Sequence, residues 1–312
     1  MGLREMIHPS RWKRHLSALA LLGLLSIGTN RPVAGGVPIE WPPLGDPKHV
    51  EHHLGKMIWA DLVTPDLVTA ERFYGGLFGW TFEPIHAGAL VYAVASIEGR
   101  PVGGLLQRTI PVGEQRQSAW LTFFAVRDVD AARRIALKEG AKCLSGPTTY
   151  AGRGRQVVLA DPEGAVFAAL ASSTGDPSDF LAVPGEWIWS SLLARDPARD
   201  AAFYQKLFNY EVFDLPDEGG TEHVLFSSDD YARASANTLP GKPWRPHPHW
   251  LSFVRVTDVE AAAAKAVALG GRVLVKPHLD RHGGRAAVVA DPAGAPIGLM
   301  EWSEEDGMRE AK

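Results

Sequence analysis

The chain has 312 residues, 46% hydrophobic and 22% charged, a balance that excludes disordered and fibrous classes and allows two globular domains. Cys143 is the only cysteine, which excludes a disulfide framework and any cysteine-rich metal site within the chain. The formal charge of −4 offers no concentrated basic surface, so no nucleic-acid partner is expected.

Residues 1–35 have the three parts of a secretory signal: a basic start, an apolar run over 16–27 and small residues at 33–36. We expect cleavage near Gly35 and a periplasmic or secreted protein. Retention as a membrane anchor is the less favoured alternative, because the apolar run is shorter than the roughly 20 residues that span a bilayer. No stable membrane insertion is expected after signal removal. Without the signal, 27 basic and 35 acidic residues remain, a formal charge of −8.

A proline-rich segment, residues 36–55, follows the signal and contains His49, His52 and His53. Proline-rich segments act as stiff spacers, so we expect a solvated linker. The alternative is adventitious metal binding by the three histidines. A linker without a rigid scaffold does not hold them in a coordination geometry, which makes this alternative the weaker one.

The rest of the chain repeats itself at a spacing of 130 residues. Matching pairs keep one register throughout: Trp59 and Trp189, Asp66 and Asp196, Phe73 and Phe203, Trp120 and Trp250, Gly140 and Gly270, Asp161 and Asp291. A period this long indicates a duplicated domain rather than a solenoid. The sequence therefore predicts a first domain over 56–172, a linker over 173–185, a second domain over 186–302 and a C-terminal tail over 303–312.

Within the first copy, strand and helix patterns alternate. Asp66 is typical of a helix N-cap, and the apolar residues behind it follow the spacing of one buried helix face. A second helix is predicted to begin after Asp128 and to end at Gly140. Runs rich in β-forming residues lie at 90–97, 156–160 and 166–171. The second copy repeats this order, so each copy predicts two modules of strand, helix and strands.

Five motifs accompany this order of elements in both copies. In the first copy they are residues 59–66, Phe73-Tyr74, Leu-Phe-Gly-Trp at 77–80, Val-Arg-Asp at 126–128 and Asp-Pro-Glu-Gly-Ala at 161–165. The chain thereby resembles the vicinal oxygen chelate (VOC) superfamily of glyoxalases, extradiol dioxygenases and bleomycin-resistance proteins, and in particular its tandem two-domain, antigen-like members. The resemblance implies an α+β fold of two tandem VOC domains. Each would consist of paired βαβββ modules that form a curled mixed sheet around a concave pocket.

The metal enzymes of this superfamily hold their ion with His, Gln and Glu side chains at three positions that can be located in each copy. The corresponding residues are Trp59, Leu121 and Ala168 in the first copy and Trp189, Leu251 and Gly298 in the second. None offers the imidazole, carboxylate or thiolate donor that a divalent metal needs. We therefore expect no metal site of the family type and no cofactor.

Strand alternation predicts which residues face the pockets, because residues two apart on a strand share a face. The candidate ligand-binding residues are Trp59, Asp61, Phe123, Trp189, Ser191, His249, Phe253 and Arg255. The tryptophans would stack on a planar or apolar ligand, and Asp61 would accept from a hydroxyl or amine. His249 and Arg255 would hold an anionic group or a carbonyl. An equally open alternative is that the tryptophans fill the cavities as ordinary core.

These features lead to three hypotheses about function. The leading one is an exported, metal-free, two-domain protein that binds a small organic molecule in aromatic-lined pockets. The second is an enzyme, either a lyase or dioxygenase with a displaced metal site or a metal-free acid/base catalyst using Asp61, or His249 with Arg255. The third is a structural protein whose pockets are filled by its own tryptophans. Since duplication supplies the paired domains that single-domain relatives obtain by dimerising, we expect a monomer.

Overall fold

A computed structural model of the protein describes residues 41–45, 48, 50–87, 90–108, 117–214, 223–239, 247–280 and 284–302. The expected signal, the first part of the linker, His49 and the C-terminal tail lie outside these ranges. The described ranges contain sixteen strands and four helices, with the strands in two eight-stranded mixed sheets, which confirms the α+β prediction. None of the helices in these ranges is long and apolar enough to cross a membrane.

Each predicted domain contributes one sheet and two helices. The strands of domain 1 are β1 Met57–Thr64, β2 Thr81–Ala87, β3 Leu90–Ile97, β4 Arg100–Gln107, β5 Ala119–Ala125, β6 Lys142–Tyr150, β7 Gly154–Ala160 and β8 Val166–Ser172. The strands of domain 2 are β9 Trp187–Ala194, β10 Glu211–Asp214, β11 His223–Ser228, β12 Tyr231–Thr238, β13 His249–Arg255, β14 Arg272–Leu279, β15 Arg285–Ala290 and β16 Pro296–Met300. The helices are α1 Leu67–Phe78, α2 Val129–Lys138, α3 Pro197–Phe208 and α4 Val259–Ala268.

The two sheets have the same strand order. In domain 1 it is β2-β3-β4-β1-β5-β8-β7-β6, and in domain 2 it is β10-β11-β12-β9-β13-β16-β15-β14. The first strands of the two modules, β1 and β5, pair antiparallel at the centre, and each pairs in parallel with the last strand of its own module. Each sheet is therefore a pair of βαβββ modules joined side by side, as the resemblance implies.

The predicted caps begin the helices. The Asp66 carboxylate accepts from the backbone N–H of Thr69, and Asp196 accepts from that of Arg199. These bonds satisfy amide groups that have no partner within the helix. Gly140, which follows α2, has a φ of 95°, a left-handed conformation that suits glycine. Short local patterns therefore fix where the helices start and stop.

The helices lie between the two sheets, and each packs on a helix of the other domain. One core joins Phe73 and Tyr74 of α1 with Val259 and Ala263 of α4. The second core joins α2 with the aromatic face of α3 in the same manner. Each helix face is buried against the partner domain, which leaves the opposite face of each sheet to form a pocket.

The contact between Thr122 and Ser252 indicates how the two domains are arranged relative to each other. These residues are 130 positions apart, and the Oγ1 of Thr122 lies 3.0 Å from the Oγ of Ser252. A residue meets its own counterpart only near a two-fold axis. The duplicated chain therefore forms, within one molecule, the pseudo-symmetric pairing typical of a dimer.

Candidate functional site

The concave face of the domain 2 sheet lines an open cavity of about 230 Å³. Alternate residues of β9, namely Trp189, Ser191 and Leu193, form part of its wall, since a strand turns every second side chain to the same face. Trp189 pairs across the sheet with Phe253 of β13, and both residues line the cavity. Apolar side chains, including Leu251, Val275, Val288 and Met300, complete most of the lining.

A hydrogen-bonded cluster forms the polar part of this wall. Asn237 Nδ2 donates to Ser191 Oγ at 2.7 Å and to Ser235 Oγ at 3.1 Å. Trp189 Nε1 donates to Ser235 Oγ at 3.1 Å, and the two serine hydroxyls lie 2.7 Å apart. His223 Nδ1 bonds Asn237 Oδ1. The cavity thus combines a mostly apolar lining with a few polar groups, the usual character of a small-molecule site.

The residues at the family's metal positions do not fit a metal ion. Trp189 and Leu251 have no suitable donor atom, and a side chain added at Gly298 would overlap the ring of Phe253. That ring therefore occupies the space where the third ligand would project. Within the described ranges, the one close group of three acidic side chains is Asp258, Glu260 and Glu301. It lies at the start of α4, where Glu301 accepts from the backbone N–H of Val259.

The equivalent face of domain 1 is filled by a side chain of the protein itself. The guanidinium carbon of Arg153 lies 4.8 Å from the ring centroid of Trp59 and 5.1 Å from that of Phe123. Its side chain is only 3% exposed, and its Nη2 lies 3.7 Å from Asp61 Oδ2. Asp61 Oδ1 also accepts from Trp59 Nε1 and from Tyr92 Oη, each at 2.7 Å. Cation–π contacts and one carboxylate therefore hold the buried cation.

A segment of the expected linker closes the domain 1 face from outside. The ring of Trp41 packs edge-on against Tyr92 at 5.1 Å and lies 5.4 Å from the Arg153 guanidinium. Leu44 is buried, and its backbone N–H donates to Thr174 Oγ1 at 3.0 Å. We call residues 41–44 the strap. The strap departs from the expectation of a solvated linker, because two large apolar side chains gain burial by docking on the sheet.

The histidine-containing part of the linker is also docked. His53 Nδ1 lies 3.1 Å from Asp179 Oδ2, and Asp179 in turn pairs with Lys56 and with Arg233 of domain 2. The backbone N–H of His53 donates to the buried carboxylate of Asp176 at 2.8 Å. These acids come from the interdomain segment and require partners when buried, which explains why this stretch is held in place rather than solvated.

Divergence between the two copies explains why one face is open and the other filled. Asp61 pairs across the sheet with Gly104, and Ser191 correspondingly pairs with Ser235. Tyr92 pairs with Leu106 as His223 pairs with Asn237. The position 130 residues after Arg153 is glycine, at 283, which lies outside the described ranges. The second copy therefore has no arginine at the sequence position equivalent to Arg153.

The structure divides the predicted site residues into three groups. Trp59, Asp61 and Phe123 surround Arg153, whereas Trp189, Ser191 and Phe253 line the open cavity. His249 and Arg255 lie at opposite ends of β13.

Arg255 and His249, at the two ends of β13, each contact backbone carbonyl oxygens nearby. Arg255 donates to the carbonyl oxygens of Ala182 and Trp302 at 2.7 and 2.8 Å, which ties the interdomain segment to the end of domain 2. His249 Nδ1 lies 2.9 Å from the carbonyl oxygen of His247. Sequence reasoning missed His223, Ser235 and Asn237, although the alternation of Ser235 and Asn237 on one strand was a usable signal.

The fold and the concave pocket define a two-domain protein of the VOC type, and comparisons with known proteins agree. The description "Glyoxalase-like domain" matches residues 57–170, and "Glyoxalase/Bleomycin resistance protein/Dioxygenase superfamily" matches residues 189–299. The chain belongs to this superfamily.

Two relatives match most of the chain. It is 30% identical to the putative glyoxylase CFP32 of Mycobacterium tuberculosis over 257 residues, which cover 82% of this chain and 98% of that protein. It is also 30% identical to the anthracycline biosynthesis protein DauV of Streptomyces sp. strain C5 over 262 residues, covering 80% of this chain and 94% of that protein.

Solved structures share the fold at low sequence identity. The Mn(II)-bound glyoxalase from Novosphingobium aromaticivorans has a TM-score of 0.57 at 16% identity, over 80% of this chain and 83% of that one. A variant of homoprotocatechuate 2,3-dioxygenase from B. fuscum has a TM-score of 0.58 at 16% identity, over 84% of this chain and 75% of that one. At this identity the likeness shows the fold alone.

Proposed function

We propose that the protein binds one small, flat organic molecule in the cavity of domain 2, while domain 1 acts as its structural partner. The observation that carries this proposal is the contrast between two equivalent aromatic surfaces. In domain 1, Trp59 and Phe123 hold the planar guanidinium of Arg153. In domain 2, the corresponding Trp189 and Phe253 border an open cavity. The planar group that occupies the first copy supports a flat ligand in the second.

The size of the cavity limits the ligand. Its volume of about 230 Å³ is below the roughly 300–1,000 Å³ of pockets that hold drug-sized molecules, which favours a ligand of one or two rings. The name of the relative DauV, an anthracycline biosynthesis protein, is consistent with an aromatic ligand.

Binding can be tested with 1-indanone, a flat bicyclic ketone, by isothermal titration and ligand-observed NMR. Val275→Trp places a large ring in the cavity wall and should abolish binding. Val267→Trp, at an exposed position of α4, is the matched control and should bind as the parent does. Circular dichroism confirms that both variants fold. Failure of the parent protein to bind either 1-indanone or its hydrocarbon analogue indane at millimolar concentration contradicts the proposal.

Ligand binding in this proposal does not depend on a metal ion. The support is chemical, since Trp189, Leu251 and Gly298 occupy the three family positions and Phe253 fills the space beside Gly298. Metal analysis after dialysis should find well below one equivalent of manganese, iron, zinc or nickel per chain. Retention of a full equivalent, together with loss of 1-indanone binding after chelation, contradicts this part of the proposal.

A second candidate function is metal-free proton transfer, and the contact between His223 and Asn237 favours it. Because the Asn237 oxygen can only accept, His223 Nδ1 carries a hydrogen, which leaves Nε2 as the basic nitrogen of the neutral ring. A base in this wall would remove a proton next to a ligand carbonyl. The test is exchange of the 1-indanone C2 protons with deuterated water, followed by NMR. His223→Gln should abolish any catalysed exchange, and an unaltered rate in that variant contradicts the role.

We also propose that the protein is exported and acts as a monomer. The signal-like residues 1–35 support export. The burial of all four helix faces between the two domains supports a monomer, because the surface that a single-domain relative would use for dimerisation is already covered. Light scattering of the mature protein at micromolar concentration should give the mass of one chain, and a dimer mass contradicts the second statement.

A further inference from the structure

We infer that Ser191 makes the domain 2 cavity selective for ligands with a hydrogen-bond acceptor, such as a ketone oxygen, on a flat apolar body. This inference rests on the proposed function and names the ligand class of the same site. It follows from the direction of each hydrogen bond in the cavity wall.

The direction of the bond between the two serines is set at Ser235. A hydroxyl oxygen has two lone pairs to accept with and one hydrogen to donate. Ser235 Oγ already accepts from two groups, the indole N–H of Trp189 and the amide of Asn237, at 3.1 Å each. Both lone pairs are therefore in use, and in the 2.7 Å contact with Ser191 the hydrogen must come from Ser235.

This direction leaves Ser191 with one hydrogen to donate. Its oxygen accepts from Ser235 at 2.7 Å and from Asn237 at 2.7 Å, which uses both lone pairs. The two amide hydrogens of Asn237 are the ones given to the serines, and its oxygen receives His223 Nδ1–H. Among the described residues, no acceptor within this cluster remains for the Ser191 hydrogen, and Ser191 lines the cavity.

The surroundings make this hydrogen important for binding. Ser191 is only 7% exposed, and most of the lining is apolar, so a ligand that excludes water must itself supply the missing acceptor. Asn237 donates to Ser191 directly, Trp189 does so through Ser235, and His223 does so through Asn237, and such chains strengthen the terminal donor. An ammonium group on a ligand, which can only donate, would find both Ser191 lone pairs already occupied.

The first copy shows the opposite arrangement at the equivalent position. Asp61 is a carboxylate that can only accept, and its donors are Trp59, Tyr92 and the nearby Arg153 cation. A serine in the second copy therefore reverses the polarity of the site. Accordingly, Ser191→Asp should turn a ketone site into one for a cation.

The experiment compares 1-indanone with indane, which has nearly the same shape but no oxygen, by isothermal titration. The parent should bind 1-indanone about tenfold more tightly, the ratio that one hydrogen bond of about 1.4 kcal/mol provides. Ser191→Ala should remove this ratio while retaining indane binding. Ser190→Ala is the matched control, because Ser190 bonds Ser252 on the opposite face of β9 and should keep the ratio. Ser191→Asp should favour 1-aminoindane over 1-indanone.

The outcomes separate the two proposals. Equal binding of 1-indanone and indane by the parent overturns the selectivity inference and leaves the proposed binding function standing. A ratio that survives Ser191→Ala, or is lost equally in Ser190→Ala, also overturns the inference. Binding of neither compound by the parent contradicts the proposed function itself. A parent ratio that only Ser191→Ala removes supports both.

Discussion

The hydroxyl of Tyr204 donates to the Oδ2 of Asp161 at 2.9 Å, which connects the first helix of domain 2 to the Asp-Pro turn of domain 1. The reciprocal bond runs from Tyr74 to Asp291 at 3.3 Å. The other oxygen of Asp161 accepts three backbone N–H groups of its own turn. The same carboxylate therefore shapes the turn and receives the helix of the other domain, so the two copies are joined by residues that also hold each copy together.

Removal of the Tyr204 hydroxyl should weaken the whole protein. Tyr204→Phe leaves the buried Asp161 oxygen and the Trp250 indole N–H without their partner, which should cost about 1–3 kcal/mol of unfolding free energy. Burial raises the pKa of Tyr204 well above its ordinary value, so the hydroxyl keeps its proton to donate. Chemical denaturation provides the measurement. Tyr231→Phe, at a ring that is 50% exposed, is the control and should change stability by less than about 0.5 kcal/mol. Equal effects of the two substitutions would show that the cross-domain bond contributes nothing specific.

Arg153 should behave as an internal ligand of domain 1. Arg153→Ala removes the ion-pair partner of Asp61 and empties the space between Trp59 and Phe123, which should cost about 3 kcal/mol. Methylguanidinium at millimolar concentration should restore part of the melting temperature of this variant, because a ligand that binds only the folded state stabilises it.

The neighbouring Arg155 offers a matched control for Arg153. Its side chain is 39% exposed and pairs with Asp130 at 2.9 Å, so Arg155→Ala should cost less than about 1 kcal/mol. Methylguanidinium should not raise the melting temperature of this variant or of the parent. Equal stabilisation of all three proteins would contradict a vacated cation site in Arg153→Ala.

Asp200 should make the stability depend on pH. Burial, followed by the nearby charge of Asp161, raises the pKa of Asp200 to about 8. The unfolded chain releases this proton near pH 3.9, so the folded state binds one more proton between about pH 4 and pH 8. Stability from this group is therefore present at low pH and is lost as the pH rises toward 8.

Asp200→Asn should remove that loss, because the amide resembles the protonated acid and cannot ionise. The advantage of the variant in melting temperature should grow between pH 5 and pH 8.5 by at least about 2–4 °C, which corresponds to roughly 1 kcal/mol. Asp130→Asn, at an exposed position whose pKa is lowered mainly by its hydrogen bond to Arg155, should show no such gain at high pH. A constant difference across the pH range would contradict the assignment to Asp200.

Export should produce a shortened chain that keeps the strap. In a Gram-negative host, mass spectrometry should find a mature N-terminus near residue 36, only a few residues before Trp41. Leu22→Arg interrupts the apolar run and should leave the full-length chain inside the cell, whereas Leu3→Arg keeps the basic start and should be processed. Full-length protein in all three cases would contradict a cleaved signal.

The duplication, the helix starts and the strand faces could be predicted from the sequence alone, because their signals are local or periodic. The spacing of 130 residues identified the duplication, and Asp66 and Asp196 marked where helices begin. Alternation along the strands placed Trp189 and Ser191 on one face. Strand alternation follows from the two-residue repeat of a strand, and helix starts follow from the first backbone N–H groups, which have no partner within the helix.

Which pocket is open could be seen only in the tertiary structure. Arg153, in the turn before β7, fills the first pocket. Trp41 covers this pocket from outside the domain, and it precedes Arg153 by more than 100 residues in the chain. The donor cluster of the second pocket likewise combines Ser191, Asn237 and His223 from three strands. Contacts between residues so far apart leave no period in the sequence, because they depend on how the sheet curls and on which side chains compete for its concave face.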